Sequence, residues 1–171
     1  LRARRSARHR VGRLVRARGR FDGQDAIRDG LGSVEWPAKV RVTVDVDPQI
    51  EVFFARFELG SILASILDNA VKYAAPDRPL AITIHATDLD GQVMLAIADN
   101  GTGIDEAQDT EKVFGLFQRA HKAPAGNGIS LYCAKRMLHH RGGSITLSGT
   151  RGQGAEFQIN FPDKDIQHDP D

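Results

Sequence analysis

Cysteine is nearly absent: Cys133 stands alone in a chain of 171 residues. One thiol excludes a disulfide framework and any metal site built on cysteines, and it leaves a reducing cytoplasm as the expected setting. No apolar run approaches the roughly 18 residues that a membrane span needs, and no signal-peptide core is visible. The dipeptide Gly-Lys never occurs, which excludes a P-loop. Acidic residues are missing from the first twenty positions, which hold nine arginines. Since the whole chain sums to +1, the remainder carries the balance of −8. Aromatics are also missing between those arginines, which speaks against a nucleic-acid-binding arm.

What is present divides into three parts. Residues 1–21 are an Arg-rich arm, in which Ala7, Val11 and Leu14 recur at helical spacing. A solvated basic tail and the stump of a helix cut from a longer chain both fit it, and Leu1 as first residue suggests an excised piece. Residues 22–162 hold the patterned segments, and 163–171 form an acidic tail. Within the middle part, Asp22 is placed to cap a short helix running to about Val34. "VRVTVDV" (Val40 to Val46) alternates as a strand does. Leu59, Ile62, Leu63, Ile66, Leu67, Ala70 and Ala74 then mark the clearest amphipathic helix of the chain.

"LAITIHAT" and "QVMLAIA" read as two strands joined by a hairpin at Leu89-Asp90-Gly91. The second is apolar almost throughout, so it is expected to be central and buried. "ISLYCAKRMLHH" reads as a helix ended by Gly142 and Gly143, and "SITLSG" and "AEFQINF" as a last strand pair. Runs of strands with intervening helices predict an α+β fold, a two-layer α/β sandwich with a mostly antiparallel sheet and its helices on one face.

Three glycine pairs carry the chemistry: "DNGTGID" (Asp99 to Asp105), "GNG" (Gly126 to Gly128) and "GQG" (Gly152 to Gly154). None is a dinucleotide fingerprint, because Glu106, Leu131 and Phe157 stand where a third glycine would fall. Asp99 closes a buried strand, where its carboxylate can accept a hydrogen bond from an exocyclic amine such as adenine's. The glycines after it let backbone pass close to a flat ring. Gly126 and Gly128 precede a helix, whose free N–H groups and positive dipole end suit phosphate. Asn69, at the edge of the amphipathic stripe, offers an amide oxygen to a hard cation such as Mg²⁺. Taken alone, Asn69 reads equally as a capping or solvated amide, and Tyr73 as a core aromatic.

As a set, these segments resemble the catalytic domain of sensor histidine kinases. "ILDNAVKYA" resembles the family's asparagine box, "DNGTGI" its first glycine box and "VFGLFQR" its phenylalanine box. "GNGISLYCAKRMLHHRGGSI" resembles the second glycine box, and "GTRGQGAEFQINFP" the last glycine segment. The resemblance covers Asp22 to Pro162 and implies a Bergerat ATP-binding fold with ATP and Mg²⁺ as ligands. It implies a phosphotransferase that passes the γ-phosphoryl group to a histidine on a dimeric helical hairpin, for relay to a response regulator aspartate.

The same resemblance implies roles for individual residues. Asn69 would hold Mg²⁺ and Lys72 would reach phosphate, the two positions closest to catalysis. Tyr73 would pack beside the adenine and Asp99 would read its amine. Gly101, Gly103 and Ile104 would line the base pocket, and Phe114, Phe117 and Arg119 would belong to a mobile lid. Gly126, Asn127 and Gly128, with Ile129, Ser130 and Leu131 at the following helix start, would meet the phosphates.

Several positions depart from the family pattern. All six histidines read as non-catalytic: His9 is followed by Arg10-Val11-Gly12 and lies only about sixty residues before Asn69, His85 sits on a strand face, His121 falls in the lid, His139 and His140 end a helix, and His168 is in the tail. The acceptor is therefore expected outside this chain, on a hairpin of the same parent protein that would also make it a homodimer. Ser65 stands where relatives carry Asn, His or Glu, Ser130 where they carry glycine, and Ala155 where they carry Ser or Thr. These departures predict weaker nucleotide binding. They also keep two rival readings open: a degenerate scaffold domain, and a serine kinase of the anti-sigma type. No nucleic-acid partner is expected, and the parent is compatible with membrane attachment.

Overall fold

The structure is a computed structural model that describes residues 23–52, 54–89, 91–105, 111–115 and 129–162. The Arg-rich arm, the Asp22 cap, the acidic tail, and His9, His121 and His168 lie outside the described residues. Among the described residues these elements follow in chain order: α1 (Gly23–Gly32), β1 (Val40–Asp45), α2 (Arg56–Lys72), β2 (Leu80–Leu89), β3 (Gln92–Asp99), α3 (Ser130–His140), β4 (Ser144–Thr150) and β5 (Gly154–Asn160).

Alternation within the strands decides which side of the sheet the helices cover. In β2, Leu80, Ile82, Ile84 and Ala86 are buried, while Thr83 and His85 are exposed. The five strands run in the order β1-β2-β3-β5-β4. Every neighbouring pair is antiparallel except β1 and β2, which are parallel. That exception has a simple cause. Helix α2 lies between β1 and β2 in sequence, and a crossover helix returns the chain to the same end of the sheet. The expected hairpin joins β2 to β3, with the Gly91 N–H donating to Asp88 Oδ1 at 2.8 Å.

The register aligns apolar side chains into rows across the sheet. Val44, Ile84, Ile97, Phe157 and Leu147 form one such row, and Ile84 and Ile97 are almost wholly buried. The apolar face of α2 covers this side: Ile62, Leu63, Ile66 and Leu67 belong to the same core cluster and are fully buried or nearly so. The helix starts at Arg56, about one turn earlier than its apolar pattern indicates. Glu58 sits in that extra turn, where a carboxylate is favoured by the positive end of the helix dipole. It accepts two hydrogen bonds from Arg141, Nε to Oε2 at 2.5 Å and Nη2 to Oε1 at 2.7 Å. The Arg141 partner holds the Glu58 carboxyl below its ordinary range. Arg141 follows the last residue of α3, and its guanidinium also lies over the Phe54 ring. This pair ties the start of α2 to the end of α3.

Burial on one face only has a measurable consequence. Ile97→Ala removes a central core side chain and should cost about 2–5 kcal/mol, whereas Thr83→Ala on the open face should cost less than about 1 kcal/mol. Urea unfolding of the two variants checks this, and equal losses would contradict a one-sided core.

Candidate functional site

The next row of the register is where the chemistry collects. Val42, Ile82, Asp99, Ala155 and Gly149 lie side by side across the sheet. Asp99 thus takes the position of an apolar residue on the helix-covered face, at the end of the central strand. Burial pushes its carboxyl above the ordinary carboxylate range, and the backbone N–H groups of Gly101 and Ala155 act against that shift. The Gly101 N–H donates to Asp99 Oδ1 at 2.8 Å. A carboxylate in such a place has accepting capacity that water supplies poorly, so it favours a ligand that donates an N–H.

The loop after Asp99 is pressed against the end of α2. The Thr102 N–H donates to the Tyr73 carbonyl at 2.8 Å. A Cβ on Gly101 would stand 2.4 Å from that same carbonyl and 2.9 Å from Asp99 Oδ1, so no larger residue fits between the carboxylate and the helix end. Gly103 has a positive φ of 67°, and a Cβ there would stand 2.0 Å from the Thr150 carbonyl. Both glycines of the first box are therefore required, one for space and one for backbone conformation as well. Ile104 is buried in the core cluster beside them.

Asn69 is half-buried on α2, one turn before the helix ends. Its Nδ2 donates to the Ser65 carbonyl at 3.0 Å. Since that carbonyl can only accept, the amide nitrogen is committed and the harder Oδ1 is the atom presented to a ligand. The Ser65 hydroxyl is itself used within the helix, donating to the Ser61 carbonyl at 2.9 Å. Lys72 is exposed and pairs with Asp68 one turn earlier, Nζ to Oδ2 at 2.5 Å. Tyr73 is half-buried at the C-cap, where its N–H donates to the Asn69 carbonyl. The sequence thus puts Asn69, Tyr73, Asp99, Gly101 and Gly103 around one junction of α2 with the sheet, and Lys72 at its edge, on an ion pair.

Phe114, expected in a lid segment, is buried, with its ring edge-on to Phe157 at 6.2 Å and Lys135 Nζ 5.0 Å from its centroid. Ser130 is exposed as the first residue of α3, Leu131 is buried and Ile129 half-buried. Phe117, Arg119, Gly126, Asn127 and Gly128 lie outside the described residues.

Two residues that the sequence reading passed over complete the junction. Asn100 accepts from the Ala81 N–H at 2.8 Å through Oδ1 and donates to the Pro79 carbonyl at 3.0 Å. Arg78 donates to the carbonyls of Asn100, Gly101 and Gly152. Asn100 lay inside the recognised box, and Arg78 had no local signal, because its partners are 22 to 74 positions away. Among the described residues no cluster of three or more His, Cys, Asp or Glu side chains is arranged to hold a metal ion, and no helix is long and apolar enough to cross a membrane.

This arrangement has counterparts in known proteins. Residues 55–165 match the family described as histidine kinase-, DNA gyrase B- and HSP90-like ATPases. The sensor protein RprX of Bacteroides fragilis is 28% identical over 127 residues, covering 71% of this chain and 24% of that protein. The sensor histidine kinase WalK of Bacillus subtilis is 29% identical over 134 residues, covering 76% of this chain and 21% of that protein. The chain thus spans about a quarter or less of these relatives' length. The solved structure of the mycobacterial sensor histidine kinase MprB superposes with a TM-score of 0.68 at 23% identity, over 84% of this chain and 95% of that one. The sheet, its helices and the matched residues together show that this chain belongs to the histidine kinase-, DNA gyrase B- and HSP90-like ATPase family, with the ATP-binding fold of that family.

Proposed function

We propose that this chain is the catalytic domain of a sensor histidine kinase. It transfers the γ-phosphoryl group of ATP to a histidine on a dimerisation hairpin of the same parent protein. The phosphoryl group is then relayed to an aspartate of a response regulator receiver domain. Residues 22–162 form the domain. The observation that carries this reading is the half-buried Asp99 carboxylate, its pKa raised by desolvation, held against a Gly101 backbone too close-packed to admit a Cβ, in a chain of this family.

Each residue then has a task. Asp99 accepts from the exocyclic amine of adenine, which selects that base over one bearing a carbonyl there. Tyr73, Gly101, Gly103 and Ile104 shape the slot for the ring. Asn69 offers Oδ1 to Mg²⁺, and its own amide nitrogen is held by Ser65 so that the oxygen is aimed. The ion, when bound, supplies the charge neutralisation that phosphoryl transfer needs. Lys72 reaches phosphate by exchanging Asp68 for it. The N-terminal N–H groups of α3, with Gly126 to Gly128 before them, favour the triphosphate. The scarcity of acid–base groups fits a reaction that depends mostly on positioning and charge.

A second reading, a non-catalytic scaffold, is favoured by Ser65. Its hydroxyl is spent on Ser61, so it supplies no base beside the metal position. Labelled phosphate incorporated from ATP by a longer chain with its hairpin supports the kinase, and none, with ATP bound, supports the scaffold.

Calorimetric titration tests the reading: Mg²⁺-ATP should saturate the folded chain below millimolar concentration, and no binding at that level would refute it. Asn69→Ala should abolish the dependence of binding on Mg²⁺, and an unchanged Mg²⁺ response would remove Asn69 as the ligand. Asp99→Asn should weaken ADP about ten- to a hundredfold, as expected for losing a hydrogen bond to a charged group. The sign of its pH dependence also follows. A carboxyl raised by burial favours folding while protonated, and that contribution is lost as pH rises through its folded pKa. At neutral pH, Asp99→Asn should therefore raise the thermal midpoint of the nucleotide-free protein. Binding to the unsubstituted chain should weaken as pH falls through the same range, relative to the Asn variant. Ser130→Gly should tighten ATP binding about two- to fivefold if the side chain crowds the phosphate, and weaken it if the hydroxyl donates; an exposed Ser130 with only modest cost in a first turn leaves affinity as the deciding measurement.

A further inference from the structure

Arg78 is placed where two glycine turns meet, and it bonds to both. Its Nε donates to the Asn100 carbonyl at 2.8 Å, and its Nη2 to the carbonyls of Gly101 at 3.0 Å and Gly152 at 2.6 Å. The side chain is two-thirds covered, with Asp77 at 3.5 Å from Nη1. Guanidinium geometry makes this possible: its donors are fixed in a planar fork, so one side chain can hold several carbonyls at set angles. The two turns are also joined through their backbones. The Gly152 N–H donates to the Thr102 carbonyl at 2.7 Å, and the Gly103 Cα lies too close to the Thr150 carbonyl to admit a Cβ.

These turns flank Asp99. The loop 100–103 supplies the Gly101 N–H on its carboxylate, and the turn 150–154 leads into Ala155, its neighbour in the sheet. We propose that Arg78 is a positioning residue of the base pocket, stapling the 100–103 loop to the 150–154 turn so that the Gly101 amide and the Asp99 carboxylate keep the geometry that reads an exocyclic amine. It touches no ligand and acts through the two turns. The ligand half of this inference rests on the adenine reading above, while the staple itself does not.

The test uses the full chain with Arg78→Ala and Arg78→Lys. The staple is read without nucleotide by amide hydrogen exchange. Protection at Gly101, Thr102 and Gly152 should drop about tenfold or more in the Ala variant, while amides at the centre of β3 stay unchanged. Positioning is read by the affinity ratio of ADP to IDP, whose base carries a carbonyl in place of the amine. The Ala variant should narrow that ratio about fivefold, on the order of one lost hydrogen bond's contribution, chiefly by weakening ADP. Lys, a single point donor, should restore part of the protection and part of the ratio. Unchanged protection at the two turns overturns the staple. Lower protection with an unchanged ADP-to-IDP ratio leaves Arg78 a structural residue only and overturns its positioning role. Should the Ala variant fail to fold, the Lys variant alone decides by the same two readouts. An unsubstituted chain that binds neither nucleotide refutes the adenine reading, and the exchange data then judge the staple alone.

Discussion

Asp99 ends a strand whose centre, Leu95 to Ile97, is buried, and the sheet register gives it Ile82 and Ala155 as lateral neighbours. A carboxylate in that setting loses most of its hydration, and burial raises its pKa for that reason. The two backbone N–H groups at Gly101 and Ala155 offset only part of the loss. Much of the surrounding structure follows from holding this group in place. The loop after it must turn at once, which demands a residue without Cβ at Gly101. The end of α2 must press against that loop, through the Tyr73 carbonyl and the Thr102 N–H. A buried acid of this kind costs stability in the empty protein and recovers it when a donor arrives, a pattern common at binding sites.

The scaffold around it separates support from function. Helix α2 does both along one length: Ile62, Leu63, Ile66 and Leu67 fill the core, and Asn69 and Lys72 emerge at its last turn. The Glu58–Arg141 pair fixes the opposite end of α2 to α3. Helix positions are therefore set by contacts remote from the last turn of α2, which leaves that turn free to carry polar residues.

Much of this was legible in the sequence, for physical reasons that differ by element. The alternation in β2 and the apolar continuity of β3 report half-buried and central strands, and both stand where they were expected. The apolar stripe of α2 was clear, but its first turn was not, because Arg56 and Glu58 are held by partners in α1 and at the end of α3 rather than by an apolar pattern. Asp99 was legible because a carboxylate at the end of an apolar run is chemically conspicuous. The burial of Phe114 against Phe157 was not legible, because it depends on a contact 43 positions away. Arg78 was invisible for the same reason, since nothing local distinguishes an arginine that binds three distant carbonyls from one on a solvated turn. The parallel pairing of β1 with β2 followed from α2 lying between them, a topological inference the strand patterns alone do not contain.

In the proposed function, the ionised Asp99 carboxylate accepts a hydrogen bond from the nucleotide base. The most direct measurement is the carboxyl carbon NMR titration of Asp99 with and without bound ADP. In the free chain the carboxyl should titrate above the ordinary carboxylate range, as its burial requires. With ADP bound its pKa should fall, because a ligand that donates to the carboxylate stabilises the charged form. A pKa that stays the same or rises on saturation with ADP would contradict the claim.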